Sequence, residues 1–472
     1  MSSADISSYV NNVWDSSILP ALQEYVSIPN VSKAYSPTWR EDGNMMRAAE
    51  FMRAWCVERE IAGMNVDLLT HESLTPVILI DIPAFNMPAS DDSVLLYGHL
   101  DKQPEMEGWR ADLGPWKPVI EDGKLYGRGG ADDGYAVFAS LTAIEAAQKH
   151  GVAHHRCVVI IEASEESGSV DLEEWLDILG TRLGNPSLVI CLDSGCLDYE
   201  RMWVTTSLRG LTDGVLRVQI SNEGHHSGDA SGIVPSSFRI ARQLLDRLED
   251  STTGELLIEE THAEIPAHRE KEARDTAAEF PEPASSHFTF VDGAQPVTDD
   301  PAEQLLNRTW RPTLSITGVD GMPHVDRAGN VLRPFTSLRL SFRLPPSADA
   351  QAVLEAVRAE LTRNVPYGAH ASFENCTAAS GWNAPTPEPW LTEALNSASL
   401  ATFGNEARAF GEGGSIPFMG MLGERFPQAQ FVITGVLGPM ANAHGPNEFL
   451  HISTAKHLTA CMTLVLAAHA ER

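Results

Sequence analysis

The stretch SVLLYGHLD, Ser93 to Asp101, decides the fold. A short run of β-prone apolar residues that ends abruptly in Gly98-His99-Leu100-Asp101 reads as a strand buried on both faces, with polar groups placed beyond its carboxyl end. Three more runs share that texture: VILIDI (77 to 82), CVVIIEAS (157 to 164) and SLVICLDSG (187 to 195). Helical patterns separate them. The clearest is YAVFASLTAIEAAQK, Tyr135 to Lys149, which stops just before Gly151. Apolar positions also recur at helical spacing through Ile6 to Tyr25 and through Met45 to Cys56. Alternating strands and helices predict an α/β sheet layered with helices.

Further along, the pattern changes. GVLRVQI (214 to 220), a helix after Pro235, a long polar stretch from 250 to 312, TSLRLSFRL (336 to 344) and a helix through Ala348 to Thr362 form two strand-then-helix units. These predict a compact α+β insertion. Sheet texture returns at QFVITGV (430 to 436), followed by a terminal helix, Ser453 to Ala468. The expected layout is therefore a discontinuous first domain, 1–207 plus 379–472, carrying an inserted domain at 208–378.

The chain has 472 residues, with 64 Asp and Glu against 34 Lys and Arg, a formal charge of -30. Such a charge repels nucleic acid and anionic bilayers, so neither is an expected partner. The six cysteines, Cys56, Cys157, Cys191, Cys196, Cys376 and Cys461, have no CxxC spacing and read as buried free thiols. The N-terminal MSSADISSYVNNVWDSS lacks a basic segment followed by an apolar one, and no apolar stretch is long enough to span a bilayer. The expectation is a cytoplasmic protein.

Polar residues at strand ends then carry the functional reading. His99 and Asp101 alternate onto one side of an extended chain, which suits a metal ligand and an acid that orients it. A hydrogen-bonded structural histidine fits the same pair. In Gly127-Arg-Gly-Gly-Ala-Asp-Asp-Gly134, two aspartates occupy a glycine-rich helix entry. They oppose a phosphate, and the spacing matches neither GxxxxGK[ST] nor GxGxxG, so nucleotide binding fails there. Asp132 is either a helix N-cap or a carboxylate that bridges metals. Glu165 and Glu166 directly follow a buried strand, where one glutamate could ligate a cation and the other accept a proton. The alternative is two solvated loop acids. Asp193 closes VICLD, and His444 sits in NAHGPNE after the last strand. Imidazole and carboxylate donors without thiolate match hydrolytic zinc chemistry.

An ordered set of strings now resembles a known family, the M20 dinuclear-zinc metallopeptidases, and within it the carnosinase-like dipeptidases. It comprises YGHLDKQP (97 to 104), GPWKPVIEDGKLYGRGGADD (114 to 133), EASEESGS (162 to 169), CLDSG (191 to 195), TTSLRG (205 to 210), HHSG (225 to 228), SFRLPP (341 to 346), EGGSIP (412 to 417) and AHGPNE (443 to 448). The resemblance implies a zinc-peptidase catalytic domain, a mixed sheet flanked by helices, with an inserted α+β lid and dimerisation domain. It implies two Zn²⁺ per subunit, with Mn²⁺ or Co²⁺ as substitutes. His99, Asp132 and Asp193 would hold one metal, and Glu166, His444 and the shared Asp132 the other. Glu165 would be the general base for a hydroxide between the metals, with Asp101 as the orienting acid. His226, picked from His225-His226 by the HSG match, would act in trans in a homodimer and steady the oxyanion. Arg343, Gly413, Gly414, Ser415 and Asn330 would bind the substrate.

Two departures from the family pattern stand out. Asp133, Gly134 and Tyr135 follow the bridging aspartate where lysine is common, and Gly411 precedes EGGSIP where arginine is common. The expected reaction is hydrolysis of the amide bond of dipeptides or short peptides. An aminoacylase or amidase acting on N-acyl amino acids is the alternative within the same chemistry, and a non-catalytic binding protein is the alternative outside it.

Overall fold

The computed structural model describes every residue except Met1, Ala89, 281–283, Thr289, 415 and 416, and omits the side chains of His287 and Pro417. It divides into two compact units. The first comprises Met1–Thr206, Ala384–Phe410 and Met421–Arg472, and the second Ser207–Asn383 and Gly411–Gly420.

The first unit is built on a six-stranded mixed sheet in the order Asn65–Leu69, Val77–Ile82, Arg156–Glu162, Asp92–His99, Asn185–Cys191, Gln430–Ile433. The first two strands pair antiparallel, and Val77–Ile82 pairs antiparallel with Arg156–Glu162. The remaining pairings are parallel. Val94 to Tyr97 are each at most 1% exposed, which is why that run is apolar on both faces rather than alternating. Helix Tyr135–Lys149 is buried from Tyr135 through Ala147, so its apolar residues run all round it. Parallel pairing brings the carboxyl ends of four strands to one edge, the edge at which α/β sheets bind their ligands.

The second unit holds an antiparallel sheet in the order Thr313–Asp320, Phe335–Leu344, Gly210–Gln219, His370–Ala379. Gly210–Gln219 alternates buried and half-buried positions, as expected of a strand with one covered face. Helices Ser237–Leu245 and Ala350–Thr362 supply the cover: Ile240, Leu244, Val353 and Val357 join Leu216, Val218, Leu340 and Phe342 in one core.

The fold is α/β with an α+β second unit, and two features differ from the sequence reading. Residues 411–420 belong to the second unit, because the Arg209 amide donates to Gly414 O at 3.0 Å and Arg209 Nε to Gly413 O at 3.1 Å. The second unit also runs to Asn383 rather than stopping at 378. Within the polar stretch lie two helices, Ala267–Glu279 and Pro301–Thr309, the first with only Arg269 and Thr276 buried. Among the described residues no helix is long and apolar enough to cross a membrane.

Candidate metal centre

His99 ends its strand, and its ring is fixed from behind. Nδ1 faces the Asp101 carbonyl oxygen at 3.1 Å and the Asp101 carboxylate at 3.4 Å. Acceptors alone on that side keep the proton on Nδ1, so the Nε2 lone pair points the other way. Nε2 lies 3.2 Å from Asp132 Oδ1 and 3.7 Å from Asp193 Oδ2. The segment behind His99 is bolted to the end of helix Leu19–Val26. Tyr25 Oη donates to Leu100 O at 2.7 Å, and Lys102 Nζ donates to the carbonyls of Tyr25 and Ile28, each at 2.8 Å.

The other oxygen of Asp132 serves a second cluster. His444 Nε2 lies 3.0 Å from Asp132 Oδ2 and 3.2 Å from Glu166 Oε2. The five residues therefore form two triads, His99/Asp132/Asp193 and Asp132/Glu166/His444, each with one donor atom per residue and all three atoms within 4.8 Å of one another. Asp132 is common to both. Glu166 is held by Gln103 Nε2 at 2.7 Å, while its Oε1 is buried with no hydrogen-bond partner in the structure. Two imidazole–carboxylate triads sharing Asp132, with a buried carboxylate oxygen of Glu166 left unsatisfied, fit divalent cations, and the all-N/O donor set suits zinc or its neighbours.

Asp101 does more than orient His99. Its two carboxylate oxygens accept the backbone N–H groups of Glu165 and Glu166, each at 3.1 Å. One carboxylate thus places both glutamates. Sequence reasoning missed other supports of the cluster. Asp133 Oδ2 accepts the His99 amide at 3.3 Å. Glu162 accepts from Tyr97 Oη at 2.7 Å and from Ser164 Oγ at 2.8 Å. Their signal was present in ADD and EAS, but nothing in those strings shows which carboxylates point inward.

The charges follow from burial and proximity. Burial opposes a charge on His99, yet Asp193, Asp101 and Asp132 raise its pKa well above the usual histidine value. Burial likewise opposes a charge on His444, but Asp132 and Glu166 bring it up to about 11. Burial raises the carboxylates, and Glu166 reaches about 7 with Asp132 adding to the effect. Asp132 moves the opposite way: His444 and His99 overcome its burial and hold it below the usual carboxylate range. For Glu165, burial and then Asp193 raise the carboxyl well above that range.

The remaining expected site residues fall in the second unit. There a cavity of about 1290 Å³ is lined by Arg209, Arg308, Arg311 and Arg343, by Gly413 and Gly414, and also by Glu249 and Glu255. Arg311 is taken up by Glu303 at 2.7 Å. Burial, then Arg343 and Arg308, lower Arg209 to about 10. His226 lies on a two-residue ribbon with Val331–Leu332, its side chain 71% exposed and its Nδ1 accepting the Gly228 N–H at 3.1 Å. Asn330 adjoins it, its carbonyl accepting the Ser227 N–H at 2.9 Å. Ser415 lies outside the described residues.

Several known proteins resemble this chain. A cysteinylglycine-S-conjugate dipeptidase of Corynebacterium striatum is 26% identical over 426 residues, covering 85% of this chain and 86% of its own. Human Beta-Ala-His dipeptidase is 26% identical over 348 residues, 72% of this chain and 68% of its own. The solved structure of the dipeptidase Dug1p from Saccharomyces cerevisiae shares the fold with a TM-score of 0.78 at 24% identity, covering 100% of both chains. The fold also matches, with a TM-score of 0.57 at 12% identity and 98% coverage of both chains, a Bacillus subtilis protein described as a dinuclear metal binding peptidase from the M20 family. The profile of peptidase family M20/M25/M40 matches residues 95–468, which hold both triads, Glu165 and the whole second unit, and the chain belongs to that family.

Proposed function

We propose that this peptidase is a metal-dependent dipeptidase that hydrolyses the amide bond of dipeptides or short peptides. The observation that carries the reading is the sharing of Asp132, with Oδ1 toward His99 and Oδ2 toward His444. His99, Asp132 and Asp193 would hold one divalent cation, and Asp132, Glu166 and His444 the other, with zinc as the proposed metal. Two such ions supply Lewis acidity and make water a nucleophile near neutral pH.

The chain's own groups do the rest. Glu165 belongs to neither triad, which leaves its carboxylate to take a proton from the attacking water and return it to the leaving amine. Asp101 fixes the direction of Glu165 through the backbone amide. Arg343 would pair with the terminal carboxylate of the substrate. Support comes from the arginine-lined cavity, where Gly413 leaves room for Arg308: a Cβ there would meet Arg308 Cγ at 3.0 Å. Gly413 and Gly414, with Ser415, would complete the cradle. Relatives named as dipeptidases favour this reading over an N-acyl amino acid amidase.

The second unit would serve as lid and dimerisation domain of a homodimer, with His226 and Asn330 reaching the partner's site and His226 steadying the oxyanion. Its sheet ends in the edge strand Thr313–Asp320, where Ile316 is 47% and Val319 63% exposed, an edge suited to pairing. The location proposed is the cytoplasm, a reducing compartment in which buried thiols such as Cys56, Cys157 and Cys461 persist as thiols. A panel of dipeptides and N-acetyl amino acids tests the function on protein stripped by a chelator and then supplied with Zn²⁺, Mn²⁺ or Co²⁺. Turnover of dipeptides that returns with metal is expected, and turnover of N-acyl substrates alone would replace the reading.

A further inference from the structure

Asp132 and His444 come from segments about 300 residues apart, and they must meet closely for the second triad to close on a cation. Asp132 sits in a turn that is buried throughout. His444 does not have that support. Its side chain is 56% exposed, and its loop carries Met440, Asn442, His444 and Asn447 at φ of 64°, 55°, 64° and 61°. Left-handed non-glycine residues persist only where their surroundings over-determine them.

One fully buried side chain adds to that constraint, beside the pairing of Phe449–His451 with Lys124–Tyr126 and the Arg110 N–H donated to Asn447 Oδ1 at 2.7 Å. Glu448, at 0% exposure, accepts the Gly129 N–H on Oε1 at 2.8 Å, and its other oxygen is paired with Arg128 Nη1. Its backbone carbonyl accepts the Gly127 N–H at 3.0 Å. Arg128, itself 1% exposed, also donates from Nη2 to the Gly445 carbonyl at 3.0 Å. Gly445 is the residue after His444. On the other side, Gly129 O accepts the Gly134 N–H at 3.0 Å and closes the turn that carries Asp132. The buried Arg128 and Glu448 side chains thus tie the His444 loop to the start of the Asp132 turn at Gly445 and Gly129.

We propose that the buried Arg128–Glu448 pair is a positioning clamp that sets the separation of His444 from Asp132, and so governs the cation affinity of the Asp132/Glu166/His444 triad. The inference rests on the reading of that triad as a metal site. The clamp touches neither metal nor substrate. The other triad shares Asp132 but takes its two remaining donors, His99 and Asp193, from strand ends and their following residues, so it loses less when the clamp is removed. A structural ion pair with no such role would stabilise both triads alike.

The test uses the full-length protein stripped of metal and titrated calorimetrically with Zn²⁺, with bound metal counted after gel filtration. The variants are Glu448→Gln and the double variant Arg128→Met/Glu448→Met. The double variant removes both charges together and avoids stranding one in the interior, which makes it the safer folding control. His444→Ala serves as the reference for loss of the second site. In both clamp variants the site lost in His444→Ala is expected to bind Zn²⁺ about 10 to 100 times more weakly, the usual effect of losing a support behind a metal ligand, and the other site to weaken clearly less. Melting of the metal-free double variant is expected to stay close to wild type. Two wild-type affinities in the double variant would overturn the clamp, and so would equal weakening of both sites together with a lower metal-free melting temperature. A wild-type protein that binds fewer than two Zn²⁺, or a His444→Ala variant that still binds two, would overturn the metal assignment itself and the clamp with it.

Discussion

At the scale of single residues, one peptide bond separates the two tasks proposed for Glu165 and Glu166. Both amides are pinned to Asp101, yet only Glu166 joins a triad, within 3.2 Å of His444. Glu165 stands apart from both triads with its proton affinity raised. Replacing Glu165 with Gln keeps the size and removes the proton acceptor. Turnover of a dipeptide should fall by about 10² to 10⁴-fold, the usual contribution of a general base, while two metals remain bound. Steady-state kinetics with metal analysis on the same sample checks this. Near-normal kcat would remove Glu165 from the mechanism.

Among the elements, the terminal helix Ile452–Glu471 carries a pH response unrelated to the metal centre. His469 is completely buried on it, and its Nε2 lies 2.9 Å from Ser187 Oγ on a central strand. Burial, then Arg472 and His155, lower its pKa to about 3. Its unfolded value is near ~6.5, so between those values the unfolded chain binds a proton that the folded chain does not. The stability tied to neutral His469 is therefore full above about pH 6.5 and is lost as pH falls toward about 3, at a limiting slope of about 1.4 kcal/mol per pH unit. Thermal melts at pH 7 and pH 5 should show a smaller acid-induced drop for His469→Leu than for wild type. Equal drops would mean that His469 is already charged in the fold.

For the whole molecule, the decisive proposal is that a working site takes residues from two copies of the chain. His226→Ala and Glu165→Gln should each be nearly inert alone. Mixed under conditions that exchange subunits, they form heterodimers in which one of the two sites has both groups intact. Random exchange of equal amounts then restores about a quarter of the sites. Activity that stays at the sum of the two separate variants would sink the trans arrangement. Sedimentation of the wild type provides the companion measurement, and a monomer would sink the dimer.

The elements that bury themselves completely were legible, because burial on both faces forces a continuous apolar run. Helix Tyr135–Lys149 appears with the same bounds in sequence and structure, and strand Asp92–His99 differs by one residue at its start and two at its end. Strand Thr313–Asp320 and helix Ala267–Glu279 did not announce themselves, since most of their residues face solvent and carry no apolar period. The five clustered donors were nameable because each stands at a strand end or in a loop after one. What they do to one another was not. Sequence alone determined which polar residues lie beyond buried strands and the chemical class they belong to, because hydrophobic periodicity is local. Only the tertiary structure decided that Asp132 faces two histidines, that Asp101 grips two amides and that Arg128 meets Glu448, because contacts across hundreds of residues leave no trace in the spacing of either partner.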